Sequence, residues 1–184
     1  YAIFATLQST AHNTTVQLDD TKVDEQSSKS ISIKHAHAET VTLSLSGTNA
    51  SDFSLSEKSF TSISYQEGKN ITIYFKPTCA GERTATLTIS STNGLNPITI
   101  YLKANGLRHD PNSISWVEPI NTDMFIGDTR TVNINATTDG NITYTSSNNS
   151  IISVSGNTLT ANAEGTVTIT ATQAATCKYN AVSI

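Results

Sequence analysis

Apolar and polar residues alternate with a period of two along most of this chain, and no window carries the 3.6-residue period of an amphipathic helix. In Val41-Thr-Leu-Ser-Leu-Ser46 the side chains of Val41, Leu43 and Leu45 share one face. In Ile71-Thr-Ile-Tyr-Phe75 the inward set is Ile71, Ile73 and Phe75, which leaves Tyr74 outward. Ile98, Ile100 and Leu102 repeat the arrangement. This is the pattern of a sheet with one buried face and one wet face. It predicts strands over residues 31–34, 41–46, 71–75, 85–90 and 98–104. The intervening segments Gly47-Thr-Asn49, Glu67-Gly-Lys-Asn70, Thr78-Cys-Ala-Gly81 and Asn93-Gly-Leu-Asn-Pro97 have turn chemistry. Short strands about a dozen residues apart, separated by such turns, predict a β-sandwich.

Asn105-Gly-Leu-Arg-His-Asp-Pro-Asn112 interrupts the alternation with Gly, Pro and Asn and is the best candidate domain boundary. Beyond it the pattern resumes in Ile114/Trp116, Val132/Ile134/Ala136, Ile142/Tyr144, Ile152/Val154, Leu159/Ala161 and Val167/Ile169/Ala171. Asp139-Gly-Asn141 and Ser155-Gly-Asn157 read as hairpin turns, and a last short strand is expected from about Ala181. The expected division is a first sandwich over 1–106, a linker over 107–112 and a second sandwich over 113–184.

Composition sharpens the class. Ser and Thr together are about 29 % of the 184 residues and Asn about 9 %, which argues against a helical bundle and for Thr-rich strands with Asn/Ser/Gly turns. Charged residues make up 14 % and the net charge is -4, so the chain has no electrostatic footprint for nucleic acid or for an anionic membrane. No run approaches the roughly 20 apolar residues of a membrane span. No basic segment followed by an apolar core marks a leader. With Tyr1 first and Ile184 last, the chain reads as part of a longer protein. Six Asn-X-Ser/Thr sequons are what chance gives at this Asn, Ser and Thr content.

Candidate chemistry is sparse. Cys79 and Cys177 lie in different halves; they could form an interdomain staple or a reactive thiol. The plainer expectation is two small, partly buried residues, since neither has a Cys or His nearby at metal-ligand spacing. His35-Ala-His-Ala-Glu39 places three possible ligands at i, i+2 and i+4, on one face if the segment is extended. The bland alternative is a solvated connection after the strand that ends near Lys34, and no metal or other cofactor is assigned. Asp19, Asp20, Asp24 and Glu25 lack the alternating spacing of a calcium loop and are expected to be a solvated edge. Asp110 and Asn112 could clamp a cation in the linker, an idea kept below the same bland reading. His12 and His109 fall, like His35 and His37, in loop contexts. There is no Gly-X-Ser-X-Gly elbow and no Gly-X-Gly-X-X-Gly loop, and no residue is assigned to catalysis. Trp116 is in phase with Ile114 and is expected in the second core. Tyr65, Tyr74, Tyr101 and Phe125 are candidates for an exposed platform, with Met124 and Phe125 alternatively packing at the domain junction.

The stretch Ser46-Gly-Thr-Asn-Ala-Ser-Asp-Phe-Ser-Leu-Ser56, followed by Ile71-Thr-Ile-Tyr-Phe-Lys-Pro-Thr-Cys-Ala-Gly81, resembles the choice-of-anchor D and ASH-type immunoglobulin-like modules over about residues 16–106. The closing strand Tyr101-Leu-Lys-Ala-Asn-Gly106 departs from the pattern at Asn105. Residues 113–184 resemble bacterial immunoglobulin-like domains of group 2. The resemblance there is carried by Ile114-Ser-Trp116, Ile126-Gly-Asp128, Tyr144-Thr-Ser-Ser147, Gly156-Asn-Thr-Leu-Thr-Ala161 and Gly165-Thr-Val-Thr-Ile-Thr-Ala171. The tail from Gln173 to Ala181 is similar to the ending of Bacteroidetes-type versions, with Ala175 in place of a Gly.

The expected fold is therefore all-β: two immunoglobulin-like β-sandwiches in tandem, forming an elongated rod. The resemblances imply an exported, multidomain protein. The expected function is that of a non-catalytic structural or adhesive segment at a bacterial cell surface, extracellular, with no insertion into the membrane. Its partners would be neighbouring domains of a longer chain and a host or bacterial surface protein or glycan. The competing reading is a carbohydrate-binding accessory module of a glycan-degrading protein.

Overall fold

The computed structural model describes residues 4–6, 13–34, 40–61, 68–92, 96–110, 113–120 and 123–184. It divides into two compact units, Tyr1–Arg108 and His109–Ile184.

The first unit comprises β1 (Phe4–Thr6), β2 (Thr14–Gln17), β3 (Thr21–Lys22), β4 (Ser27–Lys34), β5 (Thr40–Ser46), β6 (Phe53–Leu55), β7 (Ser59–Thr61), β8 (Lys69–Phe75), β9 (Gly81–Ser91) and β10 (Ile98–Leu107). They form two sheets, ordered β1-β4-β8-β6 and β2-β10-β9-β5-β7. The strands predicted from alternation are all present, and most are longer than the apolar pattern alone marks. β9 and β10 in particular run on as a ladder from Ile98 opposite Ile89 to Gly106 opposite Gly81.

The core lies between the two sheets. Ile31, Ile33, Ile71, Ile73 and Phe75 from one sheet meet Val16, Val41, Leu43, Leu87, Ile89, Ile100 and Leu102 from the other in one buried cluster. Burial of each such side chain contributes about 1.5–3 kcal/mol, and the period of two puts them all on the same side of their strands. Phe53 closes the corner after the short 3-10 turn Ala50–Asp52 and packs on Phe75 with ring centroids 5.0 Å apart. β2 and β3 run parallel to β10, one after the other along the same edge.

The second unit comprises β11 (Ser115–Trp116), β12 (Thr129–Thr131), β13 (Ile134–Asn135), β14 (Ile142–Ser146), β15 (Ile152–Ser155), β16 (Thr158–Ala161), β17 (Ile169–Gln173) and β18 (Val182–Ser183). Its sheets are β12-β16-β15, β14-β17-β18 and the pair β11-β13. Its buried set is smaller: Ile114, Val132, Leu159, Ala161 and Ala171, with the polar Gln173. The Gln173 amide donates to the carbonyls of Thr138 (2.7 Å) and Gly140 (3.4 Å), so this buried polar group is satisfied.

Of three sequence expectations here, one holds and two change. Ser155-Gly-Asn157 does head a hairpin, with Ser155 opposite Thr158 and Gly156 at φ +60°. Asp139-Gly-Asn141 does not: β13 pairs with β11 and β14 pairs with β17, so this turn carries the chain between sheets. Trp116 is only half-buried, with its ring tilted against Tyr144 at 6.0 Å, while its neighbour in phase, Ile114, is buried. The indole is carried by the two-strand pair β11-β13 and not by either of the three-stranded sheets.

Candidate functional site

Two features of the first unit organise polar side chains. The first is a clasp across the corner that follows β5. Gly47 takes φ +107°, a conformation that a side chain would strain, and lets the chain turn out of β5. Asn49 then forms a reciprocal pair with Thr84 of β9: its Oδ1 accepts from the Thr84 N–H (3.1 Å), and its own N–H donates to the Thr84 carbonyl (3.3 Å). Three residues on, Asp52 is 3 % exposed. Its Oδ1 accepts from the hydroxyl of Thr78 (2.8 Å) and from the Thr78 N–H (3.3 Å). Its Oδ2 lies 3.4 Å from Arg83 Nε. The Nε hydrogen, however, is donated to the Cys79 carbonyl at 2.9 Å, so Oδ2 receives charge stabilisation and no hydrogen bond. The Lys76 N–H donates to the Asp52 carbonyl at 2.8 Å. One buried carboxylate thus fixes the loop from Lys76 to Arg83. Gly106 on β10 belongs to the same packing, because a Cβ there would collide with the Cys79 carbonyl and press on Pro77.

The second feature is a groove of about 310 Å³ on the outward face of the β2-β10-β9-β5 sheet, lined by Thr15, Gly47, Thr48, Thr84, Thr86, Tyr101 and Lys103 among others. Tyr101 is 46 % exposed. The register sets it directly opposite Thr86 of β9 on one side and Thr15 of β2 on the other. Two residues on, Lys103 faces Thr84 and Gln17 in the same way. Lys103 Nζ is 2.7 Å from Glu82 Oε2.

The other candidates from the sequence are dispersed. His35, His37 and Glu39 lie outside the described residues, as do His12, Tyr65 and Asn112. Asp19, Asp20, Asp24, Glu25 and Asp110 are exposed. Among the described residues no three His, Cys, Asp or Glu side chains gather as a metal site. His109 is held within the second unit: its N–H donates to the Lys178 carbonyl (2.7 Å), and its ring lies 5.5 Å from that of Tyr179. Tyr74 is half-buried on β8, away from the sheet that carries Tyr101.

Phe125 is 83 % exposed and Ile126 62 % exposed, at the tip of a turn closed by the Asp128 N–H to Phe125 carbonyl bond and by Asp128 Oδ2 accepting from the Phe125 N–H. Cys79 and Cys177 are both disulfide-bonded. This corrects the expectation of two small filler residues. Cys79 is half-buried, in line with that expectation, and Cys177 is exposed; the difference is that both sulfurs are used covalently.

Asp52 was not singled out by its sequence. In Asn49-Ala-Ser-Asp52 it looks like ordinary turn chemistry, and its partners Thr78 and Arg83 are 26 and 31 positions away (78 − 52 and 83 − 52). The available signal was its place in the corner that carries the family resemblance.

The sheets and corner of the first unit and the three short sheets of the second define an all-β, immunoglobulin-like class of module. The chain belongs to the ASH family (abnormal spindle-like microcephaly-associated, ASPM-SPD-2-Hydin), which matches residues 4–98. Residues 128–181 match the bacterial Ig-like domain of group 2. Modules of these kinds are typically structural and non-catalytic. Among solved structures the chain is similar to the ASH/PapD-like domain 7 of human CEP192, at 14 % identity and TM-score 0.41, covering 57 % of this chain and 84 % of that one. It is also similar to tandem Ig domains of titin (11 % identity, TM-score 0.35, covering 100 % of this chain and 95 % of that one). A third similar structure is SSP-19, an MSP-domain protein like family member in Caenorhabditis elegans (12 % identity, TM-score 0.32, covering 48 % and 94 %). No curated protein matches the chain.

Proposed function

We propose that this chain is a non-catalytic structural and adhesive segment of an exported bacterial cell-surface protein. It separates neighbouring modules of a longer polypeptide, and its sheet faces offer low-affinity contacts. The observation that carries the reading is the succession of an ASH module and a group 2 bacterial Ig-like module in one chain. Two further features support it. Both cysteines are disulfide-bonded, a state that persists in oxidising compartments and is rare in a reducing cytosol. The outward strand positions are mostly Ser and Thr with few charges, a surface that stays soluble without a strong field. Among the described residues no helix is long and apolar enough to cross a membrane.

The test is made on the native protein in its own cells. An antibody raised against this chain is expected to label intact cells as strongly as permeabilised ones. Labelling that appears only after permeabilisation would reject the surface reading.

A further inference from the structure

We propose that the groove centred on Tyr101 is a binding site for a neutral glycan. The inference gives a ligand class to one of the contact surfaces proposed above, and it rests on that reading for its biological setting.

Four properties of the groove point to this ligand. First, the aromatic ring stands on the flat face of a sheet, with strand neighbours on both sides. β10 lies between β2 and β9, so the Tyr101 backbone is held by two ladders and the ring projects from a rigid base. A tyrosine has only two side-chain torsions to order on binding, so its contact area comes at low entropic cost. The ring face matches the C–H face of a pyranose.

Second, the ring is surrounded by hydroxyls. Thr15 and Thr86 are its direct cross-strand neighbours, and Thr84 and Thr48 line the same groove. A threonine hydroxyl both donates and accepts, as a sugar hydroxyl does, so either partner can adopt the complementary role. Ser46 extends the row beyond Thr86, because it is the residue opposite Thr86 on β5.

Third, the groove presents no net charge. Lys103 is the one charged residue in its lining, and Glu82 neutralises it at 2.7 Å. A phosphorylated or uronic-acid sugar would gain nothing here, whereas a neutral one avoids any cost of desolvating an unpaired charge.

Fourth, the site is a face and not an edge. The backbone groups of β9 and β10 face one another in a continuous ladder, and β2 and β5 cover their other sides. An extended peptide therefore finds no row of backbone donors to join, and recognition must run through side chains. The volume of about 310 Å³ is at the small end for a ligand site, room for one or two sugar rings. With a single ring as anchor, the dissociation constant is expected on the order of 1 mM.

The experiment uses the purified 184-residue chain and saturation-transfer NMR with maltopentaose, cellopentaose, xylopentaose and mannopentaose as probes, and with a galacturonic acid oligomer as the anionic comparison. At least one neutral probe is expected to receive saturation. Tyr101→Ala should weaken its binding roughly tenfold and Thr86→Val roughly threefold, the latter removing a hydroxyl at nearly constant volume. Thr42→Val, on the same outward face but outside the groove, should leave binding unchanged. Both main substitutions are at outward positions, and amide spectra identify any variant that has lost its fold; the Thr86→Val result then stands for the site. Absence of transfer to every neutral probe, equal binding by folded Tyr101→Ala and wild type, or preference for the anionic oligomer would each overturn the proposal. None of those results affects the labelling of intact cells, which tests the surface reading separately.

Discussion

Asp52 is the residue on which the geometry of the first unit turns. Its carboxylate is buried, satisfied on one oxygen by Thr78 and balanced on the other by Arg83. Removing one partner of such a buried pair leaves the other charged and desolvated, at a cost of about 3–5 kcal/mol in full burial. The Arg83 side chain is 14 % exposed, which places the expected loss for Asp52→Ala toward the lower part of that range, about 3 kcal/mol. Thr78→Val, which removes a hydroxyl donated to the charged carboxylate, should cost about 1.5–3 kcal/mol. Amide hydrogen exchange in β8 and β9 reads both directly, and unchanged protection in Asp52→Ala would contradict the role assigned to the clasp. A solitary aspartate in a polar turn carries no mark of its burial, so this residue was illegible in the sequence. Phe53 beside it was legible from its place in the Ser46–Ser56 stretch that carries the family resemblance, and it is buried.

At the scale of strands and turns, the sequence was most informative where one face is fully buried. The set Ile71, Ile73 and Phe75 is unambiguous, since shifting the register by one residue would expose all three. In the second unit the strands are short, and several of the in-phase residues, Ile134, Ile142, Tyr144 and Ile152 among them, are only half-buried. Alternation there marks strands without stating which sheet they join. That is why Asp139-Gly-Asn141 resembled a hairpin turn while connecting different sheets. Ser155-Gly-Asn157 is the informative contrast. Gly156 at φ +60° meets no atom that a Cβ would touch, so the constraint on it is purely conformational. Gly156→Val should therefore destabilise the β15–β16 hairpin by about 1–2 kcal/mol, and Gly156→Asn by clearly less, because Asn tolerates the left-handed region. Thermal unfolding of the second unit would show this order; equal loss in both variants would mean that packing decides the position.

For the molecule as a whole, the composition and the repeated turns established an all-β class, and two resemblances named the kinds of module. Whether the thiols are oxidised could not be read from two cysteines 98 positions apart (177 − 79), since a disulfide depends on three-dimensional proximity. The bonded state makes a direct prediction for protein isolated from its own cells with thiols trapped at lysis. Iodoacetamide should leave both cysteines unmodified before reduction and label both after it, as read by intact mass. Full labelling without reductant would remove the redox support for export.

The arrangement of β2, β3, β9 and β10 also dictates when the first unit can form. β10 is the strand to which β2, β3 and β9 all pair, yet it is the last strand of its unit to be synthesised. The parallel pairings join Thr14 to Ile100 and Thr21 to Gly106, nearly the full length of the unit. Contacts so distant in sequence demand loop closure before they return any stabilisation, which slows folding. A nascent chain ending before Ile98 has β2 and β3 without a partner and β9 with one side open, so it should show no dispersed amide spectrum as an isolated fragment of residues 1–97. A folded fragment would refute this. An unfinished polypeptide of this kind stays unfolded until its closing strand emerges, so the first unit acquires its shape only once nearly all of it has been made.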